Sequence, residues 1–346
     1  MAYTPIDKST DYFNTKLYTG TGNSNAQTGV GFQPDWVWLK NRSATANHHL
    51  VDAPRGITKE LRANLANSEA DDNQLITAFG SDGFTVGTSG SGNTNGDNYV
   101  AWNWKANGAG ATNEDGSINS TKTSASTTSG FSIVSYTGTN STATVGHGLG
   151  VAPKMIIWKE RGNTNDWCVW HTSLSATQVL ILNTTAATAS DSNVMGTLPT
   201  SSLFSIGQGT RTNRNGGTYI AYCFAEVQGF SKFSSFIGNG NADAPFVYTG
   251  FKPAFIVLKN ASTTQSWQMY TWDMQPFNEF CTTSAGRLKA ESNEAQSTKT
   301  AFDMLSNGFK MRTDAGDINA SGNEIIYWAF AENPFVTSTG IPGLAT

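Results

Sequence analysis

The sequence predicts an all-β protein built as three tandem antiparallel β-sandwich modules of jelly-roll or lectin-like shape. Three observations carry this. One block of about 100 residues recurs three times, as internal repeats do in modular folds. Charged residues make up only 14% of the chain, with polarity supplied by Ser, Thr, Asn and Gly, which favour turns over helices. Short apolar runs bounded by turn residues recur where long helical patterns are absent.

The repeat aligns without a gap over Pro34–Asp52, Pro153–His171 and Pro253–Thr271. A lysine follows each proline by six, at Lys40, Lys159 and Lys259. Eight residues further stand His48, Trp167 and Trp267. Upstream, Tyr18-Thr19-Gly20 matches Tyr136-Thr137-Gly138 and Phe236-Ile237-Gly238. Each copy closes on an aromatic strand that ends at Trp104, Phe224 or Phe330. The implied organisation is a tail (1–10), module one (11–107), a linker or surface strap (108–128), module two (129–228), module three (229–336) and a second tail (337–346).

Within a module, Trp36–Leu39, Met155–Trp158 and Phe255–Leu258 are unbroken apolar runs of four. Runs that short suit strands covered on both faces. Trp167, Val169 and His171 alternate with Cys168 and Trp170, the period of a half-buried strand. Asp82-Gly83, Gly216-Gly217 and Asn307-Gly308 read as hairpin-type turns. Ile57–Glu69 could be helical, but its strand-like counterpart from Thr177 makes it a strand.

The quoted strings, with DAPRG, SDGFTVG, NGDNYVAWNWKA, VGHGLGVAPKMIIWKER and YWAFAENPF, resemble a repeated domain of unknown function. That domain occurs in virion structural proteins of tailed bacteriophages, particularly marine ones. The resemblance implies a non-enzymatic tail-fibre or head/tail decoration component, located in the virion and possessing no catalytic residues to carry over. It also implies capsid or tail proteins as partners and host-surface glycans as candidate ligands. Ala261, standing where the other copies have Arg42 and Arg161, is expected to change surface detail only.

Chemistry-bearing motifs are sparse. His48, His49, His147 and His171 have no metal-ligand spacing, and no cofactor motif is present. Gly146–Gly150 lacks the serine of a nucleophile elbow. The loops Asn93–Asn98, Asn113–Ser120 and Asp314–Asn323 are oxygen-rich but fit turns rather than calcium loops. Lys40 could pair with Asp52, and Asp52 with Arg55. Cys168, Cys223 and Cys281 are read as free thiols. Sequons occur at Asn41 and Asn260, as chance allows in so Asn-rich a chain. Catalytic, cofactor and metal residues are therefore expected to be none.

A net charge of −4 and no concentrated basic stretch argue against nucleic acid. No run of 18 apolar residues predicts membrane insertion, and the first residues do not form a signal peptide. Uncovered sheet edges in a low-charge β-protein predict self-association, and the resemblance to phage virion proteins implies a homotrimer. A monomer with pseudo-three-fold symmetry is the alternative. A lectin-like receptor-binding protein is the second functional expectation. A glycan depolymerase is the third, and it would need paired carboxylates.

Overall fold

The structure, a computed structural model, describes residues 3–274, 286–299 and 301–342. Strand makes up 42% and helix 5%, arranged in antiparallel sheets, so the all-β sandwich reading holds. The first large sheet orders Phe13–Thr19, Asn98–Trp104, Trp36–Asn41, His48–Asp52, Lys59–Arg62 and Ala70–Asp71 side by side. The third has the same order: Ser231–Ile237, Glu324–Pro334, Phe251–Asn260, Gln268–Thr271, Gly286–Lys289 and Ser297–Thr298. The second repeats it with Phe131–Thr137, Thr218–Phe224, Met155–Glu160, Cys168–His171, Gln178–Ile181 and Ala189–Ser190. Each large sheet is backed by a small one, centred on Gly83–Val86, Leu203–Ile206 and Gly308–Met311. A large sheet with its small sheet is one unit below.

The four-residue apolar runs show why the sheets must be covered twice. Val37 and Leu39 pack with Phe84 and Val86 inside the first sandwich. Trp36 and Trp38 point the other way, into a second core that all three units share. Met155 and Ile157, with Phe255 and Val257, enter the same shared core. The closing aromatics meet at its centre as a triangle. Ring centroids of Trp104 and Phe330 are 5.6 Å apart, those of Phe224 and Phe330 6.0 Å, and those of Trp104 and Phe224 6.5 Å.

Smaller landmarks have local causes. Gly20, Gly138 and Gly238 each lie against a carbonyl oxygen, of Thr94, Arg214 and Ala320. A Cβ there would sit 2.1, 2.5 and 2.3 Å from it, so only glycine fits. Each carbonyl lies next to a four-residue helical turn: Gly90–Asn93, Thr210–Asn213 and Gly316–Asn319. Ile57–Glu69 holds the strand Lys59–Arg62 and no helix. Pro253 sits inside its strand, at a register shift, where a missing N–H is tolerated.

Several sequence expectations need correction. Gly216-Gly217 is not a hairpin turn: it joins the helical turn at 210–213 to the strand at 218, while Asp82-Gly83 and Asn307-Gly308 are hairpin turns. The 108–128 segment is more than a connection, because Lys122–Ser126 pairs with Phe131–Ser135 as the outermost strand of the second sheet. Residues before Thr10 are not merely peripheral: Thr4, Ile6 and Ser9 are buried, and Ile6 enters the shared core.

A single unit would expose Phe13, Trp36, Trp38, Trp102 and Trp104, all buried here. At roughly 1.5–3 kcal/mol each, the loss is about 10 kcal/mol. That equals the whole stability of an ordinary domain, about 5–15 kcal/mol. The chain is therefore expected to unfold in one transition, and Phe330→Ala to weaken it by about 3–5 kcal/mol. Denaturant titration followed by tryptophan fluorescence and circular dichroism checks both. Separate transitions would show units that stand alone.

Candidate functional site

The recurring polar residues converge on the three interfaces between units. Lys40 Nζ donates to the carbonyl of Ala46 in its own unit (2.8 Å) and of Asn293 in the third (3.2 Å). Lys159 Nζ does the same to Asn165 (2.7 Å) and to Ala66 of the first unit (3.0 Å). Lys259 Nζ donates to Gln265 and to Thr185 of the second unit. Main-chain bonds run beside them: Ala46 N to Asn293 O, Asn165 N to Ala66 O, Gln265 N to Thr185 O. Each unit thus grips the next, and the ring closes.

The column eight residues after the lysines serves the same ring. Trp167 Nε1 donates to Arg62 O at 2.9 Å and Trp267 Nε1 to Ile181 O at 3.0 Å. His48 replaces the tryptophan in the first unit and accepts from Trp38 Nε1 at Nδ1 (2.9 Å). Its neutral proton then lies on Nε2, which faces the Lys289 main chain without a bond of good geometry.

Twelve residues after the lysines lies another shared layer. Asp52 accepts from Tyr222 Oη (2.7 Å), Thr271 from Trp102 Nε1 (2.7 Å), and His171 Nε2 bonds Tyr327 O (3.1 Å). The Lys40–Asp52 pairing therefore does not form: Asp52 instead holds Arg55 Nε at 2.5 Å, both side chains fully buried. Arg55 also reaches Glu69, which Arg161 grips with two bonds of 2.9 Å. Arg42 bonds Gln296 at 2.6 Å in the matching place. Position 261 is thus an interface position rather than a surface one, and Ala261 there is buried.

These contacts leave the candidate reactive groups committed. His147 and His171 each accept a main-chain N–H at Nδ1 and face a carbonyl with Nε2. His49 lies 2.6 Å from Glu60. Burial tends to raise Glu60, but His49 and Arg62 outweigh it and hold the carboxyl low. Cys168 and Cys223 are buried free thiols, and burial pushes Cys168 up to about 12. Cys281 lies outside the described residues. The sequon residues Asn41 and Asn260 are buried and bonded to their own turns.

The oxygen-rich loops are likewise spent. Asp97 accepts from Asn41, Asn113 caps Asp115 N, and Asp317 is held by Lys299 and Gln268. Among the described residues no group of three His, Cys, Asp or Glu side chains converges. Sequence reasoning missed the buried amides Asn93, Asn213 and Asn319. Each bonds two separate loops, as when Asn213 accepts from Thr139 N (2.7 Å) and donates to Gly207 O (2.6 Å) and Ser141 O (2.7 Å). Their signal was present, since each stands eleven residues before a closing aromatic.

A depression of about 400 Å³ opens where the units meet, bordered by Asn64, Thr185, Ser266, Glu291 and Asn293. Burial raises Glu291, whose carboxylate accepts from Trp267 N at 3.0 Å. Its walls are the loops that hold the lysines, so it belongs to the same ring.

Fold and site together define a β-protein whose recurrent polar chemistry joins its own sheets. The chain belongs to the family described as a domain of unknown function, DUF7483, whose model matches residues 8–334. No curated protein and no solved structure matches the chain.

Burial brings Lys40, Lys159 and Lys259 down from 10.5 to about 8, with nearby glutamates pulling the other way. Between those values the unfolded chain holds protons the folded chain has lost, so stability rises with pH. Each pH unit is worth about 1.4 kcal/mol per lysine at most. Lys159→Met is expected to flatten that rise, read by urea titrations at stepped pH. On the acid side, burial lowers His171 from 6.5 to about 4, partly offset by Tyr327 O. The His171 contribution to stability is therefore complete above pH 6.5 and falls away as pH drops toward 4. His171→Gln is expected to reduce that fall.

Proposed function

We propose that the chain is a non-enzymatic structural component of a tailed-bacteriophage particle, in a tail fibre or a head or tail decoration. The observation that supports it best is the closed ring of three units around one aromatic axis. Such a body is rigid, and its approximate three-fold symmetry suits a three-fold position in a particle. Buried carboxylates that might serve catalysis are tied down: Asp52, Glu69 and Glu160 are each held by arginine. The particle setting itself rests on the resemblance of the repeated strings.

Two assemblies follow from this reading. One is a homotrimer, and the other is a single chain occupying a three-fold site alone. The second is favoured because the apolar inner face of each unit is already covered within one chain. Sedimentation is expected to show a 37.0 kDa species that persists at high concentration. A three-chain species would favour the homotrimer. Mass spectrometry of purified particles tests the setting, and absence of the chain from them would overturn it.

A second reading, glycan binding, is favoured by one observation. Phe246 and Tyr248 are 45% and 53% exposed at alternate positions of one small-sheet strand. The matching strand of the first unit, Asn25–Gln27, has no aromatic residue. Flat exposed rings can stack on the apolar face of a pyranose. Glycan-array binding lost in Phe246→Ala/Tyr248→Ala would support it, and polysaccharide degradation would favour a depolymerase over both readings.

A further inference from the structure

The ring of units is not filled alike at its three edges, and the difference exposes a slot. In the second sheet the edge strand Phe131–Thr137 is covered by Lys122–Ser126. That added strand lies in a groove between the second unit and the first. Ser124 is fully buried there, with its Oγ taking the Asn107 N–H at 2.8 Å. Lys122 Nζ reaches across to Pro54 O of the first unit at 3.0 Å. An extended small-residue peptide with one basic side chain therefore fits this groove.

The same groove recurs between the first unit and the third. Phe13 pairs with Trp104 as Phe131 pairs with Phe224, so Phe13–Leu17 corresponds to Phe131–Ser135. Asp52 faces Trp36 as Thr271 faces Phe255, so Asp273 stands where Pro54 does. A cleft of about 200 Å³ lies at this place, lined by Asn14, Thr15, Trp272, Asp273, Ala331 and Glu332. Among the described residues no strand covers the outer edge of Phe13–Thr19. Thr15 Oγ1 is buried there without a hydrogen-bond partner, at the position matching Ile133, which Ser124 faces in the second sheet.

The walls of the cleft are acidic. Glu332 is paired with Lys252 at 3.1 Å, and Lys252 sits 3.8 Å over the Trp272 ring. Asp273 has no ion-pair partner among the described residues. A basic side chain placed like Lys122 would arrive beside Asp273. The third copy of the edge differs: on Ser231–Ile237 the Glu226 carboxylate takes the Phe233 N–H and pairs with Lys232, which blunts that edge.

We propose that the cleft beside Phe13–Leu17 accepts an extended, basic, small-residue strand from a partner chain, added antiparallel to the first sheet. The occupant is identified by the strand that fills the matching groove and by the acidic wall it would face. This inference stands on the internal repeat, so it can survive failure of the particle reading.

The test uses the full chain and a peptide copying Asn119–Thr128, NSTKTSASTT, added in trans. Millimolar peptide is expected to slow hydrogen exchange at residues 13–17. A peptide with glutamate in place of its lysine is expected to bind about tenfold more weakly, as is the Asp273→Lys protein. The two reversed charges together are expected to restore binding, which a folding defect would not do. No slowing at 13–17, or slowing at 231–237 instead, would overturn the proposal. Protection of 13–17 that appears with protein concentration alone would also overturn it, assigning the slot to a second copy of the chain.

Discussion

The structure depends on one constraint: its large sheets are apolar on both faces. A sheet with one wet face alternates apolar and polar residues, but the four-residue apolar runs of the central strands have no polar position to offer water. One face is closed by the small sheet of the same unit. The other can be closed only by another sheet of the same kind. Three twisted sheets meeting about an axis satisfy that need at once. The closing aromatics meet at the axis, each paired with the first residue of a neighbouring apolar run, Trp36, Met155 or Phe255.

Aromatic packing alone would not fix how the sheets meet, since hydrophobic contact has no direction. The polar ring supplies direction. A lysine with two carbonyl acceptors, one in each unit, is satisfied only in one register. Burying an ammonium costs free energy, and that cost lowers the proton affinity of all three lysines. The Asp52–Arg55–Glu69–Arg161 cluster makes the interface of the first and second units the most charged. Losing one member of such a buried set costs about 3–5 kcal/mol, though the intact set adds little net stability. Its role is to specify the pairing.

Much of the fold was legible in the sequence because the repeat gave three readings of each element. Ile57–Glu69 alone looked helical, and only its counterpart made it a strand. The four-residue apolar runs announced two covered faces, but not what covered the second. The lysine column was visible without its meaning, because its acceptors are main-chain carbonyls that carry no residue-type signal. Ala261 was misread for a related reason: a missing arginine looks like surface variation unless the neighbouring unit is in view. The strand Lys122–Ser126 was hidden in a tract with almost no apolar residues, since its pairing rests on main-chain bonds and a buried serine rather than on hydrophobic side chains. The bracketing asparagines were legible by spacing and were passed over because Asn is common in this chain.

Near-symmetry also shows where the three copies have been free to differ. Some residues recur in kind: the lysines and closing aromatics that hold the ring, and the buried asparagines that tie loops within each unit. Other ring positions differ, as His48 in place of tryptophan and Ala261 in place of arginine show, and further differences lie outside the ring. Among the described residues the second unit alone has an added edge strand, the third displays Phe246 and Tyr248, and Trp272 with Asp273 stands where the first unit has Ala53 and Pro54. An interface position differs between copies together with its partner across the seam, as Asp52 meets Tyr222 and Thr271 meets Trp102. An edge or a small-sheet surface can change alone. Unmatched features that no partner across an interface requires are therefore the ones open to binding, and the acidic cleft beside Phe13–Leu17 is the one whose proposed ligand has its shape already present in the chain, in Lys122–Ser126.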